Sequence, residues 1–116
     1  MRQSGQIVTF PFPQTDLAAG KLRPALLITK TPGPFEDWLL CMISTEVRQA
    51  VAGFDEIVAV TDSDFERTGL RTLSVIRVSR LAVVSSHLLV GAIGMIAPDR
   101  LNQIRSRLSD WFKPQT

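Results

Sequence analysis

Three side chains on expected strands could do chemistry together: Arg23 and Ser44 at strand ends, and Arg77 on a later strand. Arg23 stands in Lys21-Leu22-Arg23-Pro24-Ala25-Leu26-Leu27-Ile28. Pro24 biases it toward an extended backbone, and the apolar run that follows calls for a central strand buried on both faces. A permanently charged, planar guanidinium is thereby pinned at the mouth of a rigid element, in a shape that matches phosphate oxygens. Taken alone, a strand-end arginine is most often half of a surface ion pair. Asp37 to Ser44 reads as the next strand, and the breaker Pro32-Gly33-Pro34 separates the two. Consecutive strands with a short connection pair antiparallel, so the start of one meets the end of the other and Arg23 and Ser44 are expected neighbours. Ser44 and Thr45 sit where that strand leaves the core, a place where a hydroxyl usually serves a local turn. An arginine beside a hydroxyl, with a second arginine nearby, suits attack by the 2′-hydroxyl of RNA on its own adjacent phosphate. That reaction needs proton transfer and charge stabilisation but no metal or cofactor. The same groups also suit phosphate binding without cleavage.

Composition narrows the other possibilities. The chain has 116 residues, enough for one domain, 1–116, with one modest core. Cys41 is the only cysteine, so no internal disulfide or zinc cage can form, and His87 is the only histidine, so a His-based metal site is excluded. Tyrosine is absent. Of the 13 basic residues most are arginine, and the net charge is only +2. Arginine favours bidentate phosphate contacts and base stacking, whereas so small a net charge is not that of a histone-like binder. No apolar run reaches membrane-spanning length, and the N-terminus lacks a signal peptide's apolar core, so a cytoplasmic protein is expected.

These residues must be positioned by short β elements and one helix. Gln6–Phe10 reads as a strand stopped by Pro11-Phe12-Pro13, and residues 14–20 as a polar loop containing Asp16. Residues 24–31 and 37–44 form the central pair, Glu56–Val60 a fourth strand, and Thr61–Phe65 a capped turn with some helical character. Ser74–Arg80 alternates, placing Arg77 and Ser79 on one face, and Leu81–Val84 continues it. Val90–Ile96 carries two glycines, as a bulge or close backbone approach requires. The chain ends in a helix from Pro98 to Lys113, with Leu101, Ile104, Leu108 and Trp111 at helical spacing for the core. Its Arg100, Gln103 and Arg107 lie elsewhere, on a face that is solvated or touches RNA. Six or seven short strands plus a terminal helix make a small barrel or compact sheet.

The residues also resemble a known family. Gly5-Gln6-Ile7-Val8, Phe10-Pro11-Phe12-Pro13 with Thr15-Asp16, Leu22-Arg23-Pro24-Ala25-Leu26, Leu40-Cys41-Met42-Ile43-Ser44, Ser74-Val75-Ile76-Arg77-Val78 and Ile93-Gly94 follow the MazF/PemK toxins in order along nearly the whole chain. The resemblance implies a mainly β, SH3-like small barrel with a C-terminal α-helix, assembled as a homodimer. It implies the toxin of a bacterial toxin–antitoxin pair, a metal-independent endoribonuclease that cuts single-stranded mRNA at short sequences. The implied partner is a cognate antitoxin that wraps the toxin with a disordered segment. Arg23 matches the family's catalytic arginine. Ser44 stands where most members have a catalytic threonine, keeping the hydroxyl and losing a methyl. Arg77 matches a second arginine of the PemK branch, and Ser79 replaces the aspartate found there two positions later. With that carboxylate gone, Asp16 is the candidate substitute base. Lys21 and Thr45 would lie near the phosphate, and His87 has no counterpart.

Two other functions use the same barrel. One is a non-enzymatic toxin of the CcdB kind that binds DNA gyrase through its dimer and terminal helix, for which Trp111 and Phe112 would serve. The other is an RNA-binding module that has lost cleavage, consistent with the serines at positions 44 and 79.

Overall fold

A computed structural model describes residues 2–11 and 21–114. The expected 14–20 loop, Asp16 included, lies outside them. The strands are β1 (Gln6–Phe10), β2 (Arg23–Lys30), β3 (Asp37–Ser44), β4 (Glu56–Val58), β5 (Ser74–Ser85) and β6 (Gly91–Met95). Helix α1 (Phe65–Thr68) is one turn, and α2 (Pro98–Phe112) closes the chain. The strands form one sheet in the order β4-β5-β3-β2-β1-β6, with every neighbouring pair antiparallel. The expected β2–β3 hairpin is present, at a register that pairs Ala25 with Met42.

Residues alternate across the central strands because both faces are covered. Leu26, Ile28, Cys41 and Ile43 point into one core, beneath α2, with Ile7, Val58, Ile76 and Val78. Ala25, Leu27, Trp38 and Leu40 point into a second core with Val8, Phe10, Val84 and Leu89. Burial on both faces is what the unbroken apolar runs of β2 and β3 call for. Cys41 is fully buried, and burial, reinforced by the nearby Asp55 charge, pushes its thiol pKa far upward. It is thus an inert part of the core.

The sheet curls because its ladders slip. Register shifts occur between Leu27 and Thr29 on β2, between Cys41 and Met42 on β3, and between Ile7 and Val8 on β1. The β3 slip is the largest: Cys41 faces Leu81 while Met42 faces Arg77, so residues 78–80 have no partner on β3. Bulges bend a strand and increase its twist. That bend lets Ser74–Arg80 and Leu81–Val84 run on as one strand, and it ends the alternation expected there. Arg77 is buried, whereas Ser79 is exposed.

Several boundaries differ from expectation for local reasons. β4 stops at Val58 rather than Val60, because the Ala59 N–H is taken by the Asp62 carboxylate at 2.9 Å and a turn begins. β2 includes Arg23 itself, which pairs with Phe10 of β1. Asp64 precedes α1, yet its carboxylate does not cap that helix. It accepts instead from the Ala97 N–H at 3.0 Å, capping α2 from across the molecule.

Helix α2 begins with Pro98 and Asp99, both suited to a first turn, and buries Leu101, Ile104 and Leu108. Each such side chain contributes about 1.5–3 kcal/mol when fully buried. Trp111 does not complete the stripe and is 47% exposed. At about 100° per residue it falls about 80° from Leu101, at the rim of the buried face. There its ring meets Phe54 edge-on, with centroids 5.5 Å apart.

The basic residues expected to be solvated, or to touch RNA, are instead the helix's anchors. Arg100 donates to Asp64 at 2.8 and 3.0 Å, to Asp62 at 2.9 Å, to Glu56 at 3.0 Å and to the Ile57 carbonyl at 2.9 Å. Arg107 donates to Glu56 at 2.8 Å and to the Phe54 and Asp55 carbonyls. Only Gln103 of the three is exposed. Among the described residues, no helix is long and apolar enough to cross a membrane.

Candidate active site

The antiparallel ladders converge on one end of the sheet. Phe10 pairs with Arg23 and Ser44 with Val75. The β2–β3 register, continued two residues beyond Ala25 and Met42, sets Arg23 opposite Ser44. Directly opposed residues on paired strands share a face. There Arg23 and Ser44 line one cavity of about 490 Å³. The expected neighbours are therefore brought together, and Thr45 lines the same cavity.

The walls explain the shape. One side comes from the β-strand ends, with Thr9, Pro24 and Ile43 around Arg23 and Ser44. The other comes from the segment joining α1 to β5, with Leu70, Arg71, Thr72 and Ser74, and from Ile93 of β6. Apolar walls with a few inward polar groups are typical of a small-ligand or nucleotide site. The Ser44 hydroxyl oxygen accepts from the Glu46 N–H at 3.0 Å, the local turn bond its position suggested. That bond uses a lone pair, so the Ser44 O–H remains a donor for the cavity.

Backbone on backbone holds the second wall in place. Gly69 has φ +73°, and a Cβ there would lie 2.1 Å from the Ile93 carbonyl oxygen. At Gly94 a Cβ would lie 2.2 Å from the Arg67 carbonyl oxygen and 2.3 Å from the Thr68 carbonyl. The Gly94 contact is the close approach that its place in a strand suggested. Since the obstructing atoms are backbone, they cannot swing aside. Gly94→Ala is expected to cost about 1–3 kcal/mol or more, read as a lowered denaturation midpoint. A midpoint equal to wild type would show that β6 does not rest on α1.

The other candidates lie elsewhere. Arg77 does not join Arg23 and Ser44. It is buried, and its Nε donates to Asp55 at 3.1 Å while its Nη1 donates to Gln49 at 2.9 Å. Asp55, whose side chain is fully buried, also accepts from the Val51 and Val78 N–H groups, each at 2.9 Å. Arg77 thus ties the 47–55 connection to β5. Ser79 is exposed on the unpaired part of β5, and Lys21 is exposed just ahead of β2; neither lines the cavity. His87 is exposed in a 3₁₀ turn. The basic residue that does share the cavity with Arg23 is Arg71. Its one sequence signal was its place just after the Gly69-Leu70 break. Among the described residues, no group of three or more His, Cys, Asp or Glu is arranged to hold a metal ion.

Comparison with known proteins agrees with this architecture. The solved toxin MazF-mt6 of Mycobacterium tuberculosis superposes with a TM-score of 0.65 at 19% identity, covering 96% of this chain and 99% of that one. An endoribonuclease in complex with its cognate antitoxin, from a mycobacterial species, gives 0.60 at 17% identity over 99% of this chain and 97% of that one. The half-barrel with a C-terminal helix is thus the fold of MazF toxins. No curated protein sequence matches the chain. A family model for the PemK-like, MazF-like toxins of type II toxin–antitoxin systems matches residues 3–112. With nearly its whole length covered, the chain belongs to that toxin family.

Proposed function

We propose that this protein is the toxin of a toxin–antitoxin pair and acts as an endoribonuclease on single-stranded mRNA, with 1–116 as a single toxin domain. The observation that carries this is the meeting of Arg23 and Ser44 in one cavity, from the ends of adjacent strands. The family, whose members are known as endoribonucleases, supports it.

The chemistry needs no metal. The 2′-oxygen attacks the adjacent phosphorus and the bond to the 5′-oxygen breaks, leaving a 2′,3′-cyclic phosphate and a free 5′-hydroxyl. One proton leaves the 2′-hydroxyl for the base, and water supplies the one that reaches the departing 5′-oxygen. Arg23 stays charged throughout, so it stabilises the charge on the equatorial oxygens. The Ser44 O–H donates to a phosphate oxygen and orients it, with Thr45 beside it. No carboxylate or imidazole lines the cavity among the described residues. Asp16 is the group we assign to take the 2′-proton. Arg77 supports the 47–55 connection rather than touching substrate. A homodimer and an antitoxin that wraps it complete the proposal, and the working compartment is the cytoplasm.

The test is incubation of antitoxin-free protein with a long single-stranded RNA in excess EDTA. Discrete fragments with cyclic-phosphate and 5′-hydroxyl ends are expected, and Asp16→Asn should remove the acid limb of the pH–rate profile. Intact RNA from folded protein would defeat the nuclease assignment. Bound but uncut RNA would favour a binding module, and neither cleavage nor binding would direct attention to a protein target, for which the exposed Phe112 and half-exposed Trp111 offer an aromatic surface.

A further inference from the structure

The cavity has a second cation, and it is not the one that the resemblance nominated. Arg77 is spent on Asp55 and Gln49, Arg100 on three carboxylates, Arg107 on Glu56, and Arg105 on the Ile28 carbonyl at 2.9 Å. Arg71 is exposed, lines the Arg23 cavity, and has no hydrogen-bond or ion-pair partner among the described residues.

Its backbone is tightly placed. Gly69 abuts the Ile93 carbonyl, the Leu70 N–H donates to the Thr68 hydroxyl at 3.2 Å, and the Ser74 hydroxyl donates to the Thr72 carbonyl at 2.9 Å. Bonds on both sides of residue 71 therefore fix where its side chain starts. A charged fork on a stiff segment, lining the same cavity as a strand-end arginine and several hydroxyls, is arranged for an anion that enters there.

We infer that Arg71 is the second RNA-gripping arginine of this site, holding a backbone phosphate on the wall opposite Arg23. The inference rests on reading the cavity as an RNA site. A single strand threaded there would have its scissile phosphate at Arg23 and Ser44 and a neighbouring phosphate at Arg71. Arg71 is then a substrate-binding residue, felt mainly in KM, whereas Arg23 acts on the reacting phosphate.

The experiment uses a fluorescent single-stranded RNA oligonucleotide and, for any site at which the wild type cuts it, a version with a 2′-deoxy residue there so that it binds uncut. Affinity is followed by anisotropy from about 50 to 200 mM salt. The proteins are wild type, Arg71→Gln, and Arg80→Gln as an exposed arginine outside the cavity. Removing one phosphate contact to a single strand should lower the slope of log K against log salt by about 0.7. Arg71→Gln should show that loss, bind about tenfold more weakly at the low-salt end and raise KM with little change in kcat. Arg80→Gln should match wild type. A wild-type slope in Arg71→Gln, whether or not its affinity falls, would overturn the assignment, because a purely structural role leaves the ion count intact. Equal losses in both variants would also overturn it, as a general effect of charge. Wild type that binds no RNA removes the RNA reading and this inference with it; wild type that binds without cutting, with the slope lost in Arg71→Gln, removes the nuclease and keeps Arg71.

Discussion

Arg23→Ala is expected to cut RNA about 10²–10³-fold more slowly than wild type while melting at nearly the same temperature. The size follows from what the guanidinium does. The Arg23 backbone is fixed at the first residue of β2, opposite Phe10 and, by the β2–β3 register, opposite Ser44, so the side chain starts from a rigid strand in the cavity wall. A preorganised donor of that kind is worth far more to the transition state than to the ground state. Arg23→Lys keeps the charge but loses the planar fork, so it should restore only part of the rate. The fold should survive, since Arg23 is only partly buried and the cores on either side of β2 are built from its apolar residues. Single-turnover cleavage, with thermal melts of the same samples, separates the two effects. Full activity in Arg23→Ala would mean that the cavity is not where RNA is cut.

Arg100→Ala is expected to lose about 3–5 kcal/mol of stability, on the scale of breaking a buried charge pair from one side. Arg100 binds Asp64, whose side chain is 3% exposed, together with Glu56 and Asp62, which are more open. Removing it strands the Asp64 carboxylate with the Ala97 N–H as its remaining long-range partner. The better-exposed Asp62 contact adds little, being screened by solvent. For a chain of this size the loss amounts to roughly 10–20 °C in Tm. Replacement of Asp64 together with Arg100 should recover part of it, because no orphaned charge is left.

The same cluster sets the response to acid. The Arg100 hydrogen bonds hold the Asp64 carboxyl below its ordinary pKa of 3.8, against the opposing effect of burial. The Ala59 N–H and then Arg100 do the same for Asp62. A carboxylate with a depressed folded-state pKa stabilises the fold above its unfolded pKa, and that stability is lost as pH falls through the folded value. Thermal stability should therefore be level near neutrality and decline below about pH 4. In Arg100→Ala the decline should be shallower. An equally steep acid limb in that variant would assign it to other carboxylates.

Much of the fold follows from patterns within single segments of the chain. The unbroken apolar runs at residues 24–28 and 38–43 required strands covered on both faces, and the two cores provide that. The short connection between them required an antiparallel hairpin, and with it the meeting of Arg23 and Ser44. Pro98, Asp99 and the spacing of Leu101, Ile104 and Leu108 determined the last helix. All of these are local rules: periodicity, proline, capping and chain connectivity act over a few residues and are legible in one dimension. The fate of the arginines was not. Alternation put Arg77 on a strand face but could not reveal Asp55 and Gln49, which arrive from 22 and 28 residues away. Nor could it reveal that residues 78–80 leave the β3 ladder, since a bulge is set by how two strands fit. Arg100 and Arg107 looked like a wet helix face until β4 brought Glu56, and the turn after it Asp62 and Asp64, against them. Arg71 sat unremarked beyond a glycine until Gly69 and Gly94 closed that segment onto β6. Short-range rules leave the central strands, the last helix and the Arg23–Ser44 meeting little choice. Which arginines are bound into the framework and which line the cavity is set by charge pairing, and that depends on distances between segments far apart in the chain.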